Sequence, residues 1–493
     1  MNDKKSRGSD PARAEIVSRY SPEPVFKNTA IKIEIDKNSN ATPYGGLALF
    51  HALVEQLGLA EDINDQLTLL KIPLPYWESD HVLTHVYNLL CGGTCIEDIA
   101  NLQNSEAVKR ILGADAIPDP TTAGDFLRRF KDKDLEGFQG AIDAARVRVW
   151  KKMPRELKDR ATIDLDSHVR EMSGDCKEGA DFSYNGQWSY HPLLATLKET
   201  GECLRVINRS GNKASQDGAE KMLRECLDLT EPYFKERIWR GDTAFYDHRL
   251  INLSEERGVQ FVVCVDTMGN LVDQAQKLPE AAWKPMQWGS EKKPVPPEKQ
   301  RRKRINYRNL KAKERGYKNL EPLEQAVAEF EYKPTQCPKS YRMIVRRVNI
   351  RETQGQKVLF TGYRYYFVLT NIRRGSAERI VRFGYKRCDI ENDIEQMENG
   401  VVAMKMPTGE LLANGAFLMM GELAWNLKAW SSILILPKET RVWEWKRFRY
   451  ALMYAGAKVI RQARRIVAKI SEGHRYADEI FRAMNRVAAL RLT

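Results

Sequence analysis

The stretch that most restricts how this chain can fold runs from residue 160 to residue 265, where strand-like and helix-like segments follow one another in a definite order. Strands are indicated by apolar residues at every second position, and helices by apolar residues three or four positions apart. The predicted segments are, in order, strands over 161–166, 190–197 and 203–208, a helix near 216–228, a strand ending at 239, a helix around 250–253 and a strand over 259–265.

Three consecutive strands followed by two helix-linked strands are the order of the ribonuclease H-like fold. We therefore expect an α/β chain with a mixed sheet of that fold at its core. The helix between the last two strands is a crossover, so these strands should be parallel. Ligands of open α/β sheets bind beyond the carboxyl ends of such strands, which is where Gly241 and Asp242 fall.

Four acidic residues are expected to converge at that end of the sheet. Asp164 and Asp166 lie two residues apart in the first strand and therefore share one face. Asp242 follows the strand that ends at residue 239. Glu391 belongs to a predicted helix whose buried face begins at Ile390, and it lies about 100° round from that residue, at an edge that can reach the sheet.

Carboxylates this close would repel one another and raise each other's pKa, so such a cluster implies bound cations. Oxygen ligands favour Mg²⁺ or Mn²⁺ over zinc. Two such ions about 4 Å apart would activate water or a 3′-hydroxyl for in-line displacement at a phosphodiester. Taken alone, Asp242 is better explained as a helix cap. Its position relative to the other acidic residues favours a metal site.

The charge of the chain favours a polyanionic partner. Lysine and arginine number 79 against 66 acidic residues, which gives a net charge of +13 and a pI near 9.2, as expected for a nucleic-acid-binding protein. Eight scattered cysteines form no zinc-finger pattern and indicate reduced thiols. The polar start does not have the apolar core of a secretion signal, so we expect no secretion, and the apolar stretch 416–436 contains charged residues that favour a buried helix over a membrane span. We expect a cytoplasmic protein that binds DNA.

Three regions are candidates for DNA contact. The first is a series of helices that could hold a recognition helix, predicted over 46–58, 79–91, 95–102, 104–112, 121–131 and 133–152. Arg128 and Arg129 lie on the Thr-capped helix 121–131. An ordinary helical domain explains these helices equally well. Arg301, Arg302, Lys303 and Arg304 form a basic run with aromatic neighbours, which suits either DNA contact or a solvated segment. A basic helix over 441–470 is the third candidate.

Changes in composition predict the organisation of the chain. A short alternating run, Ile31 to Ile35, indicates a strand after the polar start. The predicted regions are a flexible tail (1–30), an N-terminal mainly helical DNA-binding region (31–158), the first part of the catalytic core (159–268), a β-rich basic insertion (269–372), the second part of the core with the Glu391 helix (373–436) and a basic helical C-terminal region (437–493).

Several of these motifs resemble those of the Asp-Asp-Glu transposases of bacterial insertion sequences, in particular the group with a β-rich insertion between the second Asp and the Glu. The resemblance covers about residues 31–470. Its strongest pieces are Asp164-Leu165-Asp166-Ser167, Ser189-Tyr190-His191-Pro192-Leu193, Arg209-Ser210-Gly211-Asn212, Arg240-Gly241-Asp242, Ile390-Glu391-Asn392 and Ala413-Asn414-Gly415.

The resemblance implies a catalytic and metal-binding triad of Asp166, Asp242 and Glu391, with Asp164 as the rival for the first position. Arg387 matches the arginine of the family's Tyr-Arg-Glu-Lys signature, which implies contact with a DNA phosphate. Tyr385 stands one residue closer to this arginine than in the signature. Two further departures are His168, in place of a usual threonine, and Glu398, in place of the lysine.

These observations predict a transposase that cuts at terminal inverted repeats and joins the 3′ ends to target DNA, using Mg²⁺ or Mn²⁺, with two ions expected. The resemblance also implies a homodimer that holds two element ends. Two alternatives stay open. One is a metal-dependent nuclease that does not join strands, and the other is an inactive DNA-binding relic, which His168 and Glu398 would favour.

Overall fold

The structure is a computed structural model that describes residues 31–35, 39–286, 305–354 and 357–491. The chain divides into two compact units, residues 1–39 and 40–493. In the first unit, the strand predicted over 31–35 is wrong: these residues adopt no regular structure, and Ile31, Ile33 and Ile35 are exposed. Alternation of apolar residues does not suffice for a strand without a neighbouring strand to pair with.

The second unit begins with helices at the predicted places. The helix predicted over 121–131 ends earlier, at Leu127, so Arg128 and Arg129 follow it; its cap is Asp119, whose carboxylate accepts from two backbone N–H groups. A helix over 59–66 escaped prediction. The elements are β1 (Ala41–Thr42), α1 (Leu47–Gln56), α2 (Leu59–Gln66), α3 (Glu78–Leu90), α4 (Ile99–Gln103), α5 (Glu106–Leu112), α6 (Pro120–Leu127) and α7 (Asp132–Lys152).

Residues 160–265 form the strands and helices that the sequence predicts, in the predicted order. The first hairpin strand is interrupted at His191-Pro192 and divides into two short strands. The elements are β2 (Arg160–Ser167), β3 (Arg170–Glu171), β4 (Asp181–Phe182), β5 (Trp188–Tyr190), β6 (Leu193–Leu197), β7 (Glu202–Ile207), α8 (Ala219–Thr230), β8 (Glu236–Gly241), α9 (His248–Glu256) and β9 (Gln260–Val265).

The order of these strands in the sheet confirms the ribonuclease H-like fold. The strands lie in the order β7, β6, β2, β8, β9. β2 pairs antiparallel with β6 and parallel with β8, and β8 pairs parallel with β9. The carboxyl ends of β2, β8 and β9 therefore meet at one edge of the sheet, where the acidic residues were expected.

The next segment extends the same sheet. β13 pairs antiparallel with β9, and β12, β11 and β10 follow outward, so that nine strands of the described residues form one sheet. The strand at 318–332 was not expected, because its proline and four glutamates disfavour β structure; the pairing is irregular after Pro322. The elements are α10 (Gly269–Gln276), β10 (Lys284–Pro285), α11 (Tyr307–Glu314), β11 (Lys318–Tyr332), β12 (Tyr341–Gln354) and β13 (Lys357–Thr370).

The chain then returns to the core as α12 (Ala377–Tyr385), α13 (Asp389–Glu395), a π-helical turn (Gln396–Gly400) and the long α14 (Leu411–Leu434). The predicted buried stripe is confirmed, since Ile390, Ile394 and Met397 are all less than 7% exposed. α14 is buried along its length and packs against α3, α7 and β7. The N-terminal helices and the sheet thus share one core.

Buried charges join three of these elements. Arg146 of α7 donates one hydrogen bond to Glu202 of β7 and one to Glu422 of α14, and both have a length of 3.2 Å. Glu202 also accepts from the indoles of Trp150 and Trp430, at 2.8 and 2.6 Å. All five side chains are buried. The bonds fix α7 between the sheet and α14.

The prediction of a basic helix over 441–470 is wrong in its second half. The first half forms short helical turns, among them α15 (Trp445–Phe448). The second half forms a hairpin of β14 (Ala457–Gln462) and β15 (Arg465–Ile470), and β14 pairs with β1. The helix α16 (Ala477–Ala489) follows the hairpin. Ala463 and Arg464 turn the chain with φ of 49° and 64°. The hairpin is rich in β-branched Val and Ile, which favour strands and pack poorly in helices.

The fold bears on two expectations, that the apolar stretch is no membrane span and that the cysteines are free thiols. Among the described residues, no helix has both the length and the apolarity that a membrane span requires. All eight cysteines lie in the described part and none forms a disulfide, which agrees with the expected free thiols.

Candidate active site

The register of β2 and β8 places the acidic residues side by side. In this parallel pair Asp164 lies beside Arg240. Two residues further along the chain, Asp166 is the last residue but one of β2 and Asp242 follows β8, on the same face as the preceding pair because side chains alternate. Asp166 and Asp242 are therefore neighbours at the carboxyl edge of the sheet, as the sequence predicts.

Asp164 is engaged inside the fold. Arg240 donates to both of its carboxylate oxygens, from Nε and Nη2, each at 2.6 Å, and both side chains are buried. Burial raises the pKa of Asp164, and the guanidinium opposes that rise. Arg240 also donates to the Phe383 carbonyl at 2.7 Å, which ties β2 and β8 to α12. A bidentate pair of this kind holds three elements together.

Asp166 combines burial with contacts to a cation. Its Oδ1 accepts from the Ser167 N–H at 2.8 Å, and its Oδ2 accepts from Arg387 at 3.2 Å. Desolvation raises the pKa of Asp166 to about 6; Arg387 opposes this rise, whereas the negative charges of Asp242 and Glu391 add to it. The three acidic residues thus act on one another electrostatically, as expected for a site that attracts cations.

Asp242 is a cap, as the simpler of its two interpretations predicts. It caps the short helical turn Thr243–Phe245, and its Oδ1 accepts from the Ala244 N–H at 2.9 Å. The cap uses one of the two carboxylate oxygens. Gly241 lets Phe245 pack under this turn, since a Cβ at Gly241 would lie 2.7 Å from the Phe245 Cβ.

Glu391 approaches the pair through Arg387. It lies in the first turn of α13, its side chain is 59% exposed, and its Oε1 accepts from Arg387 Nη2 at 3.3 Å. Arg387 therefore bridges Glu391 and Asp166. The helix begins at Asp389, whose carboxylate pairs with Lys198 next to β6. A side chain as exposed as Glu391 remains available to ligands from outside.

Tyr385 and the arginines after α6 lie in different surroundings. The Tyr385 ring packs under the Arg346 guanidinium of β12, 4.6 Å from its centre, and burial raises the pKa of this tyrosine to about 12. Arg128 pairs with Asp125 at 2.8 Å and with Glu410 at 3.4 Å. Arg129 is exposed. The structure brings Tyr385 near Arg387 and leaves the other two at the surface.

The basic run Arg301, Arg302, Lys303 and Arg304 lies outside the described residues. One of its aromatic neighbours, Trp283, is buried, with the Arg347 guanidinium 4.2 Å from its ring centre. Contact of this run with DNA stays a prediction.

His168 and Glu398, the two departures from the family pattern, contact each other. His168 Nε2 lies 3.3 Å from Glu398 Oε2, and the Arg170 guanidinium donates to Glu398 Oε1. Sequence reasoning gave Arg170 no role, since 228 residues separate it from Glu398 and no local pattern links them. Arg240 was also missed, although its place beside Asp164 follows from the parallel register of the two predicted strands.

The motif around His191 supports the end of β2. His191 Nε2 lies 3.0 Å from Ser167 Oγ, and its Nδ1 lies 2.8 Å from the Lys213 carbonyl. The Arg209 Nε donates to the His191 carbonyl at 2.8 Å. These residues come from motifs that the sequence singled out without a role. Their contacts fix the chain that leaves Asp166.

The side chains at this edge suit a hard divalent cation. Asp166 and Asp242 offer carboxylate oxygens on adjacent strands, and the pKa of Asp166 is raised mainly by burial, with a smaller contribution from the negative charges of Asp242 and Glu391. Within the described ranges, no three His, Cys, Asp or Glu side chains already stand around one point as an ion would require. Asp166 and Asp242 are the candidates for two ligands, and Glu391 is the candidate for the third.

Comparison with known proteins identifies the family. The profile of the family described as transposase DDE domain, group 1, matches residues 24–492. Among curated proteins, none matches the sequence. A solved structure that is similar to this chain is the cryo-EM structure of the piggyBac transposase synaptic complex with hairpin DNA, with 13% identity, 85% of this chain and 82% of that chain covered, and a TM-score of 0.40. With a family profile matching nearly its full length, the chain belongs to the group 1 DDE-domain transposases.

Proposed function

We propose that this transposase cuts DNA at the terminal inverted repeats of its element and transfers the freed 3′ ends to target DNA. The observation that carries the proposal is the position of Asp166 beside Asp242 at the carboxyl ends of two parallel strands, with Arg387 connecting Asp166 to Glu391. A phosphodiester would approach this edge of the sheet from the side of Glu391, whose side chain is exposed.

Each residue has a role in this proposal. Asp166 and Asp242 would hold Mg²⁺ or Mn²⁺, and Glu391 would complete the coordination. When bound, two such ions supply an activated water or 3′-hydroxyl and stabilise the leaving oxygen. Arg387 would exchange its contact with Glu391 for a bidentate contact with a DNA phosphate. Asp164 would remain paired with Arg240 and take no part in the reaction.

The partners in this proposal are the element ends and the target DNA, held by a homodimer. The net charge of +13 supports binding to DNA at moderate salt. Candidate contacts beyond Arg387 are Arg301, Arg302, Lys303 and Arg304, together with Arg128, Arg129 and Tyr385. Of these, Tyr385 already packs under Arg346, which favours a supporting role for it over direct base contact.

The main alternative is a nuclease that cuts without joining. The other alternative is an inactive relic, which was suggested by the two departures from the family pattern, His168 and Glu398. Because these side chains bind each other, the two changes are mutually compatible and do not leave the site with an unmatched charge. We therefore prefer an active enzyme.

The test uses full-length protein and a linear DNA that carries the ends of the protein's own element, with a supercoiled plasmid as target. We expect Mg²⁺-dependent cleavage at the ends and joined products in the plasmid. Cleavage without joining would support the nuclease. Cleavage that persists in Asp242→Ala would contradict the site assignment, and no cleavage by the parent protein with either ion would support the relic.

A further inference from the structure

Glu398 connects the Glu391 helix to the end of the first strand. It lies in the π-helical turn that continues α13, seven residues after Glu391. His168 and Arg170, its two partners, follow Asp166 by two and four residues. Arg170 also donates from Nε to the Met404 carbonyl at 3.0 Å. Glu398 thus joins the far end of the helix to the segment that leaves β2.

The near end of the helix is joined to the sheet as well. Asp389, its first residue, pairs with Lys198, which follows β6. β6 is the antiparallel neighbour of β2. Between the two ends, Ile390 and Ile394 are buried against the core. Glu391 therefore belongs to a helix that is held at both ends and along its inner face.

We propose that Glu398 is a positioning residue whose pairs with His168 and Arg170 set the orientation of α13, so that Glu391 can share a divalent cation with Asp166 and Asp242. This inference rests on the proposed function. The Glu391 side chain is exposed and accepts a hydrogen bond of 3.3 Å from Arg387, which lies two residues before the helix begins. The direction of this side chain is therefore determined by the helix that carries it.

The contacts of Glu398 are shielded enough to fix the helix. The side chains of Glu398, His168 and Arg170 are 21%, 30% and 28% exposed. The Arg170–Glu398 ion pair is partly buried and is therefore screened less by salt than a pair at the surface, and His168, whose pKa is lowered by burial, adds a hydrogen bond to the same carboxylate. Two partners on one carboxylate also restrict its position more than one partner would. A lysine at position 398 would face Arg170 with like charge, so the residues at 168, 170 and 398 form one matched set.

The test measures Mn²⁺ binding to the full-length protein without DNA, by electron paramagnetic resonance. Glu398→Gln keeps the shape of the side chain and removes its charge. Glu395→Gln is the matched control, because it removes the same charge from an exposed position on the same helix. We expect Glu398→Gln to weaken Mn²⁺ binding about tenfold, as the loss of an outer contact around metal ligands does. The control should bind as the parent protein does.

Variants of the histidine keep the test informative if Glu398→Gln fails to fold. His168→Ala should weaken Mn²⁺ binding, and His168→Gln, which retains a donor for Glu398, should restore it. Asp166→Asn tests the metal site itself. If Asp166→Asn lacks binding while Glu398→Gln and His168→Ala bind normally, the positioning role is wrong and the proposed function stands. If Asp166→Asn binds Mn²⁺ as the parent does, the metal site is wrong and the positioning role with it.

Discussion

Arg240 on β8 holds both carboxylate oxygens of Asp164 on β2, each at 2.6 Å, in a pair that solvent barely reaches. The next acidic residue along the strand, Asp166, faces the open edge of the sheet together with Asp242. Two aspartates separated by a single residue therefore differ in surroundings. Asp164 is paired inside the core, whereas Asp166, which is also largely buried, contacts Arg387 at the edge of the sheet.

Exchange of each aspartate for asparagine should separate these roles. Asp164→Asn leaves the buried Arg240 without its anionic partner, and we expect a loss of about 3–5 kcal/mol in the free energy of unfolding. Asp166→Asn should leave the unfolding midpoint near that of the parent protein and lower DNA cleavage more than about a hundredfold. Denaturant unfolding and a cleavage assay with labelled DNA ends measure the two effects. The reverse pattern would make Asp164 the catalytic residue.

Metal binding should depend on pH through Asp166. Its pKa is raised to about 6, above the usual value of 3.8, and the carboxylate binds cations only when ionised. Mg²⁺ affinity should therefore be full above pH 7 and fall as pH decreases through about 6. Calorimetric titration with Mg²⁺ between pH 5 and 8 checks this, and a titration midpoint near 4 would contradict it.

Removal of the Arg387 side chain should raise the pH midpoint of Mg²⁺ binding. Its guanidinium lowers the pKa of Asp166, so Arg387→Ala should require a higher pH for full Mg²⁺ binding. Arg387→Lys retains the charge and should shift the midpoint less. Arg128→Ala, which removes a positive charge at the surface after α6, is the control and should leave the midpoint unchanged. An unchanged midpoint in Arg387→Ala would show that this arginine does not act on Asp166.

Stability should depend on pH through Glu422. Burial raises its pKa from 4.5 to about 7, so the folded state binds a proton that the unfolded state releases between these pH values. The resulting contribution to stability is present below pH 4.5 and is lost as pH rises through about 7, at a cost of about 3 kcal/mol. Glu422→Gln should show a smaller decrease in the urea midpoint from pH 5 to pH 8. An equal decrease in both proteins would contradict this assignment.

The C-terminal hairpin offers a prediction about stability alone. Ala463 and Arg464 both have positive φ, which suits Asn-Gly in a two-residue turn. Ala463→Asn combined with Arg464→Gly should raise the free energy of unfolding by about 1 kcal/mol. Arg461→Gly, in the adjoining strand, removes an arginine where φ is ordinary and should instead lower stability. Cleavage should stay at the parent level in the turn variant.

The local pattern of the sequence was sufficient for the core of the fold. Residues 160–265 have clear apolar periodicity and short connections, so the order of strands and the position of Asp242 followed directly. The register of the parallel strands would also have placed Arg240 beside Asp164. Prediction was weaker where long-range pairing determines structure. The strand at 318–332 contains a proline and many glutamates, and only its neighbour β12 makes it a strand.

The same limit applies to the site. The place of Glu391 at the edge of the buried stripe follows from helical periodicity around Ile390, but its connection to Asp166 through Arg387 depends on side-chain geometry. The contact between His168 and Glu398 joins residues 230 positions apart that each looked like an isolated departure. At 457–470, the abundance of arginine and lysine suggested a helix, whereas the β-branched residues decided the structure.

The bonds between Arg146, Glu202 and Glu422 bear on when the core can assemble during synthesis of the chain. Glu422 leaves the ribosome 276 residues after Arg146, and α14 arrives with it. A nascent chain that ends before Leu411 already contains Asp166, Asp242 and Glu391, yet it lacks the helix that fills the core behind them. The core can therefore assemble only after α14 has been made, and products truncated before this helix carry the candidate catalytic residues without the packing that supports them.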